Sequence, residues 1–149
     1  AQIAEKLSKQ LNFINDKITD NYLRHLEKWS DILNKMESRA AKLAKEDFAA
    51  SEINLKIAAA RGAILKANEQ ILIQKAKIYS VEIEDEESVG KVFSKARQEL
   101  RDDLSSLKKD VMEPIKEILR DIHKSFKALT ERTSEDKPKV TEEQEEQNE

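Results

Sequence analysis

Apolar side chains run along this chain in three long, regular stripes with two short interruptions. In the first segment they stand at Ile3, Leu7, Leu11, Ile14, Ile18, Tyr22, Leu26, Trp29, Leu33, Met36, Ala40 and Leu43. The steps are mostly threes and fours, the spacing that gathers side chains on one face of an α-helix. Leu7, Ile18, Trp29 and Ala40 also stand eleven apart, which marks a nearly straight stripe rather than a heptad supercoil. With no Gly or Pro to interrupt it, the pattern predicts one helix over about 3–44.

The stretch Lys45-Glu46-Asp47-Phe48-Ala49-Ala50-Ser51 breaks the rhythm, and Asp47 or Ser51 is a suitable cap for a new helix. That second helix, about 50–80, uses Ile53, Ile57, Ala60, Ile64, Ala67, Ile71 and Ile78, closer to a heptad. Leu55, Leu65, Leu72 and Ile73 fall off that line. The apolar face is therefore wide, as if covered from two sides, and these four residues are the candidate interaction surface. Gly62, set among alanines, reads as a point of close helix approach.

A run of acids, Glu82, Glu84, Asp85, Glu86 and Glu87, precedes the third stripe. Acids complement the positive end of a helix dipole, and Asp85 or Ser88 can cap the turn. The stripe continues through Val89, Phe93, Ala96, Leu100, Leu104, Leu107, Val111, Ile115, Ile118, Ile122, Phe126 and Leu129, predicting a helix over about 88–130. Pro114 lies inside it. Leu104 and Ile115 flank the proline at the same eleven-residue spacing found at Phe93 and Phe126. One helix in a single register is expected, with a kink near 110–114 where proline cannot donate to the Asp110 carbonyl.

Beyond Leu129 the stripe ends. Residues 131–149 carry eight acids and three bases and read as an acidic disordered tail. The expected fold is all-α: an elongated antiparallel three-helix bundle whose long first and third helices overhang a shorter middle one.

Composition narrows the picture further. Two glycines and two prolines among 149 residues leave few turns, so the elements must be few and long. Charged residues make up 38% of the chain, too many for a deep globular core but suited to slender helices with one buried stripe. Net charge is −3, and the tail holds more than that deficit, so no basic block suggests a nucleic-acid partner. There is no cysteine, which excludes disulfides and thiolate metal sites. No apolar run is long enough to span a bilayer. A start at Ala-Gln reads as the product of signal-peptide removal, or as a trimmed chain. The first implies an extracytoplasmic location, periplasmic or secreted; otherwise the protein is cytoplasmic.

Candidate chemistry is sparse. The two histidines, His25 and His123, lack a glutamate three residues upstream, so the Glu-x-x-His pattern of di-iron bundles is missing. The acid run lacks the glycine-turned spacing of a calcium loop. No nucleophile elbow or glycine-rich phosphate loop occurs. Neither catalysis nor a cofactor, metal or small-molecule substrate is expected.

The segment A-R-Q-E-L-R-D-D-L-S-S-L-K-K-D-V-M-E-P-I-K-E-I-L-R-D-I-H-K-S-F-K-A-L, with A-A-A-R-G-A-I-L-K-A-N-E-Q-I before it, resembles predicted extracytoplasmic, signal-peptide-bearing helical proteins of bacteria. These coiled-coil-like chains are common in candidate phyla. The likeness covers about residues 20–130, and the glycine usual in their first loop is replaced by Lys45-Glu46. It implies a location and an architecture rather than an activity. The expected role is a non-catalytic envelope or exterior protein: a helical scaffold, spacer or self-assembling subunit, partnered by its own copies or by another envelope protein. Two alternatives stay open, an amphipathic binder of membrane surfaces and a periplasmic holdase-type chaperone.

Overall fold

The computed structural model describes residues 2–43 and 49–135 and is all-helical, with no strand among the described residues. Helix α1 spans Gln2–Leu43 and α2 spans Ala49–Ala76. After a connecting stretch and a short 3-10 turn at Glu86–Ser88, α3 spans Val89–Leu107. A π-helical turn, Lys108–Met112, joins it without a break to α4, Glu113–Glu135. Asp85 caps the 3-10 turn, its carboxylate accepting the Ser88 amide at 2.8 Å. Ser51 lies inside α2 rather than at its cap, and Asp47 lies outside the described residues. So does 136–149 of the expected tail, whereas residues 131–135 continue α4.

The larger of two cores joins α1, α2 and α4. Leu26, Trp29, Leu33 and Ala40 of α1 meet Ile53, Ile57, Ile64 and Ile71 of α2 and Met112, Ile115, Leu119, Ile122 and Phe126 of the third helix. Ion pairs run along the seams. Asp20 meets Lys75 at 2.6 Å and Glu37 meets Arg61 at 2.6 Å, while Lys56 reaches Asp121 at 3.0 Å. All are partly exposed, so each contributes little next to the burial of the apolar stripe. Arg39 lies 4.9 Å over the Phe126 ring and closes the far end.

Two expected stripe positions of α1 face solvent instead: Ile3 and Ile14. Asn15 and Thr19 are buried in their place. The Thr19 hydroxyl is satisfied by the Asn15 carbonyl at 2.7 Å, one turn back in its own helix.

The second helix stops at Ala76, four residues short of the expected end, and the chain continues as an extended strap. Ile78 is exposed, while Tyr79 and Val81 are buried. The Asn12 amide brackets Tyr79, its oxygen accepting the Tyr79 N–H at 2.8 Å and its nitrogen donating to the Tyr79 carbonyl at 3.1 Å. Ser8 accepts the Val81 N–H at 2.9 Å. The strap thus fills the space beside α1 and α3 beyond the end of α2. Tyr79 and Val81 join Leu11, Leu100 and Leu104 in a second, smaller core.

The π turn separates these cores. The Glu113 amide bonds to the Lys108 carbonyl, five residues back instead of four. The turn sits immediately before Pro114, whose ring in a regular α-turn would press on the Asp110 carbonyl and leave it without a donor. It also changes the phase. From its last residue onward Met112, Ile115, Leu119, Ile122, Phe126 and Leu129 are buried at strict four–three spacing. Carried backwards, that spacing lands on Lys108, Ser105 and Arg101, all exposed. One extra residue shifts it to Leu107, Leu104 and Leu100, which are the side chains turned inward. Leu104 and Ile115, expected to keep phase across Pro114, are both buried, and the π turn adds one residue between the two strict four–three runs on either side.

Inserting an alanine after Lys109 should add a second residue to that insertion and rotate Leu100 and Leu104 about 100° out of the seam. Urea denaturation is expected to show a loss of about 3 kcal/mol or more, since burying each leucine is worth about 1.5–3 kcal/mol. Lys109→Ala, which keeps chain length, is expected to stay within about 0.5 kcal/mol of the parent.

Candidate interaction surface

Helix α2 differs from its neighbours in having apolar residues all the way round. Its inner seam, Ile53, Ile57, Ala60, Ile64, Ala67 and Ile71, is buried. On roughly the opposite side a second seam has the same alternation of three and four: Leu55, Ala58, Gly62, Leu65, Glu69, Leu72 and Ala76. Every member of it is exposed. The four candidate residues lie in or beside this seam, with Leu55 72%, Leu65 68%, Leu72 47% and Ile73 72% exposed. A helix that is apolar on both sides is normally covered on both sides. Scattered exposed leucines need no explanation, but an in-phase row of them does.

Gly62 contributes differently from the expectation of a close helix approach. A Cβ built on it meets nothing within 4 Å, so no neighbour among the described residues requires the glycine. It lowers the outer seam at its centre instead. Open grooves flank the ridge on either side. The one towards α1, about 510 Å³, is edged by Leu23, Glu27, Asp31, Leu65 and Leu72. The one towards the third helix, about 370 Å³, is edged by Ile73, Asp103, Asp110 and Val111.

No protein-family model, curated protein or solved structure matches this chain. The surface is therefore read from its own geometry.

The histidines do not form a centre. His25 is exposed, its ring 6.0 Å from that of Trp29, at the edge of an open groove of about 340 Å³ beside the π turn. His123 is exposed on α4. Among the described residues no three His, Cys, Asp or Glu side chains gather as metal ligands would, and no helix is long and apolar enough to cross a membrane. Pro114 is exposed at the second position of α4, so its influence is on the backbone.

A polar clamp fixes the end of α2 and with it the length of the outer seam. The last carbonyls of a helix have no partner within it. Asn15, buried on α1, supplies one from the side: its amide donates to the Gln74 carbonyl at 2.9 Å and the Lys77 carbonyl at 3.3 Å. Its oxygen accepts from the Gln74 side chain at 3.0 Å, and Gln74 donates in turn to the Tyr79 hydroxyl at 2.6 Å. The Tyr79 hydroxyl donates to Asp103, which also takes Lys77 at 2.6 Å, while Lys77 reaches Glu99 at 3.0 Å. Burial first, and then the bond to Asp103, push the Tyr79 phenol up to about 12. Burial would raise Asp103, but the donors Lys77 and Tyr79 outweigh it and hold the carboxyl below its ordinary value. Those same acids raise the Lys77 ammonium. Sequence reading passed over this clamp. The available signal was that Asn15 and Thr19 stand four and eight residues after Leu11, in phase with Leu26 and Trp29.

The raised phenol makes the clamp sensitive to alkali. Its neutral form is favoured by folding, so the stability it contributes is complete below about pH 10 and is lost as pH rises to about 12. Tyr79→Phe is expected to cost about 0.5–1.5 kcal/mol at neutral pH. It should also flatten the fall in stability over that alkaline window, as measured by denaturant titrations at stepped pH. Lys77 has the same sign, so a reduced slope should remain.

Proposed function

We propose that this protein is a non-catalytic helical scaffold that assembles with copies of itself through the outer face of α2, and that it works at the bacterial cell envelope or exterior. In this reading the chain is an elongated antiparallel three-helix bundle, bent at the π turn before Pro114. Support for the antiparallel order comes from the ion pairs: as the α1 partner advances from Asp20 to Glu37, the α2 partner retreats from Lys75 to Arg61. The same holds as Lys56 meets Asp121 while Lys77, further on, meets Asp103. Support for the bend is the widened turn at Lys108–Met112. The envelope location rests on the family resemblance of the segment around Pro114.

The observation that carries self-assembly is the outer seam of α2: a row of exposed leucines in phase with one another, on a helix whose opposite row is fully buried. A spacer or scaffold needs surfaces that join and a body that holds its length. The two cores supply the second requirement and the bare seam the first.

Sedimentation velocity should show a reversible dimer whose fraction rises with concentration. Leu65→Lys is expected to leave the helix content unchanged, because that side chain is 68% exposed in the single chain, and to abolish the dimer. A parent protein that sediments as a monomer throughout would remove this function.

A further inference from the structure

We infer that the outer seam of α2 pairs with the same seam of a second copy in antiparallel orientation, about a two-fold axis that passes between Gly62 and Leu65. The inference rests on the self-assembly proposed above and specifies its geometry. It follows from charge and from side-chain size along the seam.

Consider the parallel, in-register alternative first. It sets each seam residue against its own copy, so Glu69 meets a second Glu69 in the middle of the contact. It also places Arg61 beside Lys66 of the copy on both flanks, since these positions border a heptad seam five residues apart. Gly62 would face Gly62 and leave a void at the centre. Like charges and an empty layer both disfavour this pairing.

Reversing one helix removes all three conflicts. With Gly62 opposite Leu65, the alternation of steps also sets Leu55 opposite Leu72 and Ala58 opposite Glu69. Gly62, which has nothing within 4 Å of its Cβ direction in the single chain, becomes the recess that receives Leu65. Two-fold symmetry forms this knob and recess twice. Glu69 then faces a small residue rather than a second Glu69, one turn from Arg61 of the second copy, which is held by its own Glu37. On the flanks Arg61 meets Asn68 and Lys66 meets Ala59, with no like pair. An isologous contact of this kind closes on itself, so it gives a dimer and stops.

The chain has no cysteine, so each introduced thiol reports alone. Leu55→Cys and Leu72→Cys, both made in the full chain at exposed positions, are treated with a short bismaleimide separately and as an equal mixture. In the antiparallel pair the two positions face each other across about 8–10 Å. Each lies about 25 Å along the axis from its own copy, at 1.5 Å per residue. Covalent dimer is therefore expected in the mixture and not in either variant alone. Ala58→Cys with Glu69→Cys, which keeps every seam leucine, is expected to repeat the result. Cross-linking of either variant by itself overturns the antiparallel register. So does an absence of cross-linking while the parent sediments as a dimer, and in both cases self-assembly survives. Absence of cross-linking together with a monomeric parent overturns the register and the self-assembly reading alike.

Discussion

A helix that is apolar on two opposite sides cannot satisfy both when its neighbours cover only one. Helix α2 is in that position. Its inner isoleucines are held between α1 and α4, and this contact organises the larger core. Among the described residues no layer covers the outer leucines. Burying one leucine is worth about 1.5–3 kcal/mol, so an in-phase row of them is a substantial reserve of association energy. Much else in the structure serves this helix. The ion pairs of Lys56, Arg61 and Lys75 tie its flanks to both neighbours, and the Asn15 clamp sets where it ends.

The third helix solves a different problem. It lines the larger core with Met112, Ile115, Leu119, Ile122 and Phe126 and the smaller one with Leu100 and Leu104, and the strict four–three spacing of the first set misses the second by one residue. A regular helix holds one phase. The π turn inserts a single residue where the two demands meet, and Pro114 stands where a regular turn would in any case be awkward. Proline and π turn thus have one explanation: the partner of the third helix changes from the end of α2 to the strap at about this level.

Much of this was legible in the chain. The stripes of Leu26, Trp29 and Leu33, of Ile53, Ile57 and Ile64, and of Ile115, Ile122 and Phe126 mark the buried faces correctly. The exposure of Leu55, Leu65, Leu72 and Ile73 was legible too, because they could not share a face with the inner seam. Other features gave weaker signals. Ala58, Gly62 and Ala76 complete the outer row, but small residues carry little hydrophobic weight. Asn15 and Thr19 were hidden by their polarity, although a buried amide with all its partners costs little. The phase shift escaped notice because Val111 and Met112 are both apolar and suit either register. The early end of α2 was masked by Ile78, which continues the helical spacing yet lies in the strap.

The two cores are unequal, and this sets where the molecule would yield. The one beside α2 draws side chains from three helices along most of their length. The other rests on a few residues, with backbone bonds from Asn12 and Ser8 taking the place of a helix. Cooperative units of different strength open separately. Pulled from its two ends, such a molecule would release the strap and the first turns of α1 and α3 while α2 and its outer row stayed intact. The weaker end would act as a mechanical fuse, yielding before the three-helix core does.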